Sequence, residues 1–274
     1  MTWVIKFAKI TKMRKSTNLI LASLLMLAAC KNNDKPHVNE VKPTPSISYA
    51  VVNTFPHDTG SYTQGLLFYK GELYEGTGLE GRSKLMKVDL KTGKALQSIS
   101  IDPKLFGEGV VILHDTVYQL TWQNKLALVY SLKDFKKIKE VPMKPDGWGL
   151  TTDGTQLIAS DGSSTLYFYE PSTLRLIRTQ DVTEGGGPAT NLNELEYING
   201  FIYANQYQEA NIFKINPTTG EIVAKIDLTN LWNQVKTADP NAEVPNGIAY
   251  DDKTGKVYVT GKLWPSVFEV KFGE

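Results

Sequence analysis

The sequence predicts an all-β protein, a five-bladed β-propeller with four antiparallel strands in each blade and a ring closed by the N-terminal strand. The first observation is a strand–turn–strand pattern that occurs five times, at intervals of about 40 to 55 residues, which is typical of propeller blades. The second is that short apolar runs and alternation dominate, without the hydrophobic period of helical repeats. The third is a last copy without a fourth strand, for which an unpartnered strand near the N-terminus can substitute.

The five copies share a fixed spacing between their first two strands. From the residue that opens the first strand to an aromatic or aliphatic residue in the second, the offset is 10 residues in four copies and 12 in the last. The opening residues are Gln64, Glu108, Trp148, Asn193 and Asn246, and the second-strand residues are Tyr74, Tyr118, Ile158, Tyr203 and Tyr258. A third apolar strand follows in each copy, and a fourth follows in all but the last.

The last copy ends after its third strand, close to Phe272. Residues 46–52 form an unpartnered apolar strand before the first copy. We expect this segment to supply the missing outer strand, because closing the ring in this way removes exposed strand edges. The sequence therefore predicts a propeller domain over residues 46–274, with a short helix within Leu228–Thr237 in the insertion before the last blade.

Residues 1–30 are typical of an export signal. Basic side chains within residues 12–15 precede an apolar run, Leu19–Leu27, which is too short to cross a hydrocarbon layer of about 30 Å. The run is followed by Leu-Ala-Ala-Cys, which ends at Cys30 and resembles a lipobox. In a lipobox the cysteine becomes the lipidated first residue of the mature lipoprotein.

The lipobox predicts an exported protein that is anchored through a lipid on Cys30 to a bacterial membrane, at the periplasmic side or the cell surface. Lys31 is not the aspartate that retains lipoproteins at an inner membrane, which is consistent with the outer membrane. Residues 31–45 are polar and contain proline, so they predict a tether between lipid and domain. The alternative is an ordinary secretory signal with a chance cysteine.

Composition excludes several classes of function. The net charge of +1 does not indicate nucleic-acid binding, which needs a concentrated basic face. The single cysteine excludes internal disulfides and cysteine-based zinc clusters. No metal-ligand spacing links His37 in the predicted tether, His57 before the first blade and His114 in a hairpin turn. No metal ligand is therefore predicted.

The equivalent positions of the five copies converge on one end of the central channel. A second set, four residues past each second-strand residue, leaves the neighbouring strand and rims the same mouth. Aromatic walls with a few convergent polar groups are typical of a small-ligand pocket, and burial raises the pKa of a carboxyl group toward values useful for proton transfer. Residues two positions before an opening residue, such as Tyr62 and Phe106, belong to the same mouth. The converging set has one carboxylate, three amides, one ammonium and five aromatic side chains: Glu108, Gln64, Asn193, Asn246, Lys262, Tyr62, Phe106, Trp122, Trp148 and Tyr207.

Several motifs together resemble the plant-type glutaminyl cyclotransferases and their bacterial relatives. The resemblance extends from about Phe55 to Phe268, and it implies a five-bladed propeller. The motifs are Tyr62-Thr63-Gln64-Gly65-Leu66, Tyr74-Glu75-Gly76-Thr77-Gly78, Phe106-Gly107-Glu108-Gly109, Leu120-Thr121-Trp122-Gln123, Gly147-Trp148-Gly149, Asn193-Glu194-Leu195-Glu196 and Gly261-Lys262-Leu263-Trp264-Pro265.

The resemblance implies a role for each site residue. Glu108 matches the essential acid/base glutamate, and Gln64 matches a glutamine that contacts the substrate. Tyr62 stands where phenylalanine is frequent and Tyr207 where tryptophan is frequent, so both keep an aromatic wall. The remaining matches are to pocket aromatics, an asparagine and a lysine: Phe106, Trp122, Trp148, Asn193 and Lys262. The family uses no catalytic zinc, and a structural calcium ion in the channel is possible.

The implied substrates are peptides or proteins with an N-terminal glutamine. Their α-amine attacks the γ-carboxamide, which gives 5-oxoproline and ammonia, and one carboxylate can relay the proton from the amine to the leaving nitrogen. We expect Glu108 to do so. Lys262 either polarises the γ-carbonyl oxygen or orients Glu108.

Two alternatives have different signatures. A metal-dependent propeller lactonase or esterase would use Glu108, Asn193 and Asn246 as oxygen ligands for calcium, and it would lose activity in a chelator. A non-enzymatic scaffold or binding propeller would be unaffected by Glu108→Gln.

Overall fold

The computed structural model describes residues 43–273, which form five four-stranded antiparallel sheets. Strand β1 (Tyr49–Pro56) precedes the first blade. Blade 1 consists of β2 (Thr63–Tyr69), β3 (Glu72–Thr77), β4 (Lys84–Asp89) and β5 (Lys94–Ser100). Blade 2 consists of β6 (Phe106–Leu113), β7 (Thr116–Trp122), β8 (Leu126–Ser131) and β9 (Lys137–Pro142). Blade 3 consists of β10 (Leu150–Thr152), β11 (Leu157–Ala159), β12 (Thr165–Tyr169) and β13 (Leu176–Asp181).

A small hairpin, β14 (Thr183–Glu184) and β15 (Gly187–Pro188), connects blades 3 and 4. Blade 4 consists of β16 (Leu192–Ile198), β17 (Phe201–Gln206), β18 (Asn211–Ile215) and β19 (Ile222–Asp227). Helix α1 (Thr229–Ala238) precedes blade 5, which consists of β20 (Pro245–Asp251), β21 (Lys256–Gly261), β22 (Ser266–Phe272) and the N-terminal strand β1. The predicted five-bladed propeller is confirmed.

The N-terminal strand closes the ring as predicted. The fifth sheet has the order β1-β22-β21-β20, with β1 antiparallel to β22. The pairing begins at Tyr49 and ends at Pro56, so the closing strand lies further along the chain than the predicted residues 46–52. Before it, the Pro45 carbonyl accepts a hydrogen bond from the Lys225 backbone N–H (2.9 Å). Most of the predicted tether, and the predicted export signal with Cys30, lie outside the described residues.

The apolar core lies between the blades. Each pair of neighbouring blades shares one hydrophobic cluster, as where Leu85 of β4 and Leu128 of β8 belong to the same cluster. The outer strands β5, β9 and β13 are largely exposed, whereas the inner strands are almost fully buried. Burial on both faces of the inner strands holds rigidly the residues that surround the channel.

Helix α1 fills the interface between blades 4 and 5, and it confirms the helix predicted within Leu228–Thr237. Leu231 and Val235 are buried in the cluster that also contains Trp264. Their separation of four residues places both on one face of the helix. Within residues 43–273, no helix has the length and apolar character needed to cross a membrane.

Candidate active site

Irregularities in the first strands surround the channel. In four blades the pairing of the first strand with the second shifts at the opening residue, and in blade 3 the strand β10 begins just after Trp148 and Gly149. A β-bulge leaves a residue unpaired and re-aims its side chain. The shifts lie between Thr63 and Gly65, Gly107 and Val110, Leu192 and Leu195, and Pro245 and Ile248.

Glycines next to the opening residues allow the first strands to approach one another closely. A Cβ atom on Gly109 would lie 2.5 Å from the Leu150 nitrogen, and one on Gly149 would lie 1.9 Å from the Asn193 carbonyl oxygen. The Gly109 N–H donates to the Trp148 carbonyl (2.7 Å). The close backbone approach therefore needs glycine at these positions.

All nine predicted site residues line a single pocket of about 180 Å³ at the mouth of the channel. Six come from the first strands or the residues just before them, and the other three lie at or directly after the ends of second strands. Together they are Tyr62, Gln64, Phe106, Glu108, Trp122, Trp148, Asn193, Tyr207 and Lys262. The structure brings the whole set together, and their roles in the reaction stay predictions.

The aromatic wall is built from edge-to-face contacts. The ring centroids of Tyr62 and Phe106 lie 6.0 Å apart, and those of Phe106 and Trp122 lie 5.6 Å apart. Across the pocket, the centroids of Trp148 and Tyr207 are separated by 5.4 Å at an interplanar angle of 83°. These separations are those of favourable aromatic pairs, so the rings support one another in a fixed orientation.

Two glycines make room for this wall. The Phe106 ring lies over Gly78, where a Cβ atom would be 2.4 Å from the ring, and the Trp148 ring lies over Gly162, at 2.7 Å. Gly78 and Gly162 occupy the same register position as Trp122, Tyr207 and Lys262 in the other blades. A side chain at Gly78 or Gly162 would therefore displace the aromatic ring that lies over it.

Glu108 is the buried carboxyl group of the pocket. Its residue is 4% exposed, and its Oε2 atom has no hydrogen-bond partner among residues 43–273. Burial raises the pKa of Glu108 well above its ordinary value. The charge of Lys262 and a hydrogen bond with Gln64 oppose this rise, and the nearby charge of Asp146 adds to it.

Lys262 is the buried cation beside Glu108. It is 2% exposed, and burial lowers the pKa of its ammonium group to about 8, although the charges of Glu108 and Glu243 oppose the shift. Its Nζ atom lies 4.5 Å from the Tyr62 ring centroid and 5.0 Å from that of Tyr207. Cation–π attraction therefore helps to hold the ammonium group between the two rings.

Two amide side chains present defined groups to the pocket. The Gln64 Oε1 atom accepts a hydrogen bond from Asn246 Nδ2 (3.1 Å), which also donates to the Thr63 carbonyl (2.9 Å). This bond orients the Gln64 amide. Asn193 is 2% exposed, and its Oδ1 atom is unpaired within the described part of the chain, so it is available to a ligand that donates a hydrogen bond.

Residues that were not predicted for the site surround it. Asp146 lies two residues before Trp148, the position that Tyr62 and Phe106 hold in their blades, so the register offered a signal for it. Glu243 lies in the irregular segment before β20, where the sequence offered no such signal. Its backbone N–H donates to the Lys262 carbonyl (2.8 Å). Burial raises the pKa of Tyr62, and the Glu243 carboxylate adds to this rise.

The site combines a buried carboxyl of raised pKa, a buried ammonium, two amides and aromatic walls. Such a pocket suits a small, neutral polar group that changes its protonation during a reaction. Within residues 43–273, no cluster of three or more His, Cys, Asp or Glu side chains is placed to hold a metal ion.

Comparisons with known proteins identify the family of the chain. A family model described as glutamine cyclotransferase matches residues 20–272. A glutaminyl-peptide cyclotransferase from Arabidopsis thaliana is 41% identical over 226 residues, which cover 81% of this chain and 70% of the relative. The crystal structure of Myxococcus xanthus glutaminyl cyclase aligns with a TM-score of 0.79 at 32% identity, covering 85% of this chain and 99% of that one. The chain belongs to the glutamine cyclotransferase family.

Proposed function

We propose that this protein is a glutaminyl-peptide cyclotransferase, which converts the N-terminal glutamine of peptides or proteins to 5-oxoproline and releases ammonia. The observation that carries the proposal is Glu108, a buried carboxyl group with an unpaired oxygen in an aromatic pocket. Membership of the family, with relatives named for this activity, supports it. The lactonase and scaffold alternatives are not favoured.

The reaction needs one carbon–nitrogen bond to form and another to break. The neutral α-amine of the substrate attacks the carbon of its γ-carboxamide, and Glu108 accepts the proton that the attacking nitrogen loses. Glu108 then donates this proton to the leaving nitrogen, so that ammonia departs and the five-membered lactam remains. A raised pKa suits both steps, because the group must accept and return a proton near neutral pH.

Lys262, a buried cation that lines the pocket beside Glu108, would stabilise the oxygen of the γ-carboxamide. Negative charge develops on that oxygen as the amine attacks, and a buried ammonium group stabilises such charge more strongly than one in water. The partial burial of the two tyrosine rings around it limits its motion. The same ammonium group lowers the cost of an ionised Glu108.

The pocket volume indicates what enters it. A volume of about 180 Å³ is below the range of pockets that bind drug-sized ligands, which suits a single residue. The N-terminal glutamine would therefore enter, while the rest of the peptide stays outside. Holding the amine and the carboxamide in a ring-forming conformation supplies much of the acceleration in such intramolecular reactions.

A structural calcium ion in the channel, as the family resemblance implies, would find oxygen donors there. The Oδ1 atoms of Asn193 and Asn246 are buried and unpaired among the described residues, and calcium prefers such oxygens. Glu194 adds a buried carboxylate, which accepts the N–H groups of Leu66 (3.1 Å) and Ile248 (2.9 Å). These three side chains would hold the ion in a structural role. We expect added calcium to raise the melting temperature of the protein. An unchanged melting temperature would contradict the calcium site.

Export and lipid anchoring at Cys30 also belong to the proposal, and they rest on the sequence motif alone. Metabolic labelling with a radioactive fatty acid should label the protein in cells, and Cys30→Ser should abolish the label and release the protein from the membrane fraction. Labelling that survives this substitution would contradict anchoring at Cys30.

The activity itself is tested with the purified chain and a glutamine-initiated dipeptide, with ammonia release as the readout. The matched control is the asparagine-initiated dipeptide, whose shorter side chain cannot close a five-membered lactam. We expect ammonia from the first peptide only, in the presence or absence of chelator. Activity that disappears with chelator would favour a metal-dependent hydrolase, and no ammonia at all would favour a binding propeller.

A further inference from the structure

A buried histidine–glutamate pair lies outside the pocket, where blade 1 meets blade 5. His57, which directly follows β1, is 9% exposed, and Glu75 on β3 is 1% exposed. The His57 Nε2 atom lies 3.1 Å from Glu75 Oε1. The sequence indicated only that His57 precedes the first blade, and the proposed reaction does not use either residue.

Both ring nitrogens of His57 face hydrogen-bond acceptors. Nδ1 lies 2.8 Å from the Trp264 carbonyl oxygen, and Nε2 faces the Glu75 carboxylate. A neutral imidazole carries one N–H and therefore donates only one of these bonds, whereas an imidazolium donates both. The geometry thus matches the charged ring, with Glu75 as its counter-ion.

Glu75 also fixes the segment that carries two pocket residues. Its carboxylate accepts hydrogen bonds from the hydroxyl groups of Thr63 (2.7 Å) and Ser61 (3.3 Å). These two residues flank Tyr62 in the chain, and Gln64 follows directly. The carboxylate therefore holds the backbone from which the Tyr62 and Gln64 side chains enter the pocket.

His57 extends the same network to the segment that carries Lys262. The Trp264 carbonyl that His57 contacts is two residues after Lys262. Between them, the Leu263 N–H donates to the Ser61 carbonyl (2.8 Å). The network therefore joins residues 262–265 of blade 5, here called the Lys262 loop, to residues 61–64 at the start of blade 1.

We propose that His57 is a charged imidazolium whose hydrogen bonds to Glu75 and to the Trp264 carbonyl hold the Lys262 loop against blade 1; we call this pair the His57–Glu75 latch. Both residues are then positioning residues for the reaction. The kinetic part of this inference rests on the proposed function, and the protonation part does not. Burial lowers the pKa of His57. The charges of Glu75 on β3 and of the neighbouring Asp58 raise it, as do the hydrogen bonds to Glu75 and the Trp264 carbonyl. The net effect is a raised pKa.

The protonation of His57 follows from nitrogen NMR of the ¹⁵N-labelled full chain, recorded against pH. The chain contains three histidines, so His37→Gln and His114→Gln assign the remaining signal. We expect both ring nitrogens of His57 to carry protons at pH 7, and Glu75→Gln to remove one of them. A neutral ring in the wild type at pH 7 would overturn the latch.

The positioning role follows from kinetics of His57→Gln, whose neutral amide cannot donate to both acceptors as the imidazolium does. Displacement of the Lys262 loop should lower kcat by roughly 10- to 10²-fold, with a smaller change in KM. The matched control is His114→Gln at an exposed hairpin turn, which should leave both constants unchanged. If His57→Gln does not fold, Glu75→Gln replaces it, because glutamine keeps an acceptor oxygen for Thr63.

The outcomes separate this inference from the proposed function. A wild type that cyclises glutamine, with a folded His57→Gln or Glu75→Gln variant that keeps kcat within threefold, overturns the latch alone. A wild type without cyclase activity whose His57 is doubly protonated overturns the proposed function and supports the charged latch.

Discussion

Glu108→Gln gives the most direct test of the chemistry. Glutamine has nearly the same shape as glutamate and keeps an amide in place of the carboxyl group, but it cannot accept and return a proton. Because Glu108 is 4% exposed, and no other carboxylate lines the pocket in the described part of the chain, neither bulk water nor a neighbouring acid is well placed to replace it. The pocket walls should stay intact.

The expected loss follows from the role of the group. General acid–base catalysis by one residue contributes about 10²- to 10⁴-fold, which corresponds to roughly 3 to 5 kcal/mol on the barrier. Burial of Glu108 favours the upper part of that range. Since we propose that the amides and the aromatic rings bind the substrate, KM should change little and the loss should appear in kcat.

The assay is ammonia release from a glutamine-initiated dipeptide, measured as kcat and KM. The matched control is Glu196→Gln, the same substitution at another buried first-strand glutamate that does not line the pocket. The Tyr250 N–H, which donates to Glu196 Oε1 (2.7 Å), can donate to the glutamine oxygen as well. A Glu108→Gln variant that retains kcat within threefold of the wild type would refute proton transfer by Glu108.

Three further predictions concern the pocket and the ring. Because the pKa of Lys262 is about 8, its ammonium group loses its proton as the pH rises through that value, and kcat should fall on the alkaline side. Lys262→Met should lower kcat and abolish this alkaline fall in the pH profile of kcat. Trp122→Ala should raise KM with little change in melting temperature, since Trp122 is 38% exposed, whereas Trp264→Ala should cost about 3 to 5 kcal/mol of stability, since Trp264 is fully buried; equal losses of stability would contradict this. Gly149→Ala should destabilise the ring by at least about 1 to 3 kcal/mol because its Cβ would meet the Asn193 carbonyl, while Gly187→Ala, in more open space, should be neutral in a denaturant titration.

The sequence predicted the positions around the channel well because the blades repeat. Equal offsets from first to second strand place equivalent residues at equivalent points of the ring, and nine of the ten residues chosen in this way line one pocket. The tenth, Asn246, donates a hydrogen bond to Gln64 instead. The predicted bounds of the closing strand β1 were less accurate. Strand β1 is mostly exposed, so the burial that normally produces a readable hydrophobic pattern is weak there.

The contacts between blades could not be predicted in the same way. His57 bonds to the Trp264 carbonyl across 207 residues of chain, and Asn246 Nδ2 reaches Gln64 across 182. Repeats indicate which positions are equivalent, but they do not indicate which side chains meet where two blades pack. Glu243 lies outside the register positions that the repeat singled out, in the irregular segment before β20.

The sequence by itself determined the all-β architecture, the number of blades, the closure of the ring and the family, because these depend on local periodicity and on motifs. Only the tertiary structure decided the burial of Glu108 and Lys262, the bond that orients Gln64, and the contact between His57 and Glu75. Shifts in pKa arise from removal of solvent and from nearby charges, and both depend on which segments the closed ring brings together.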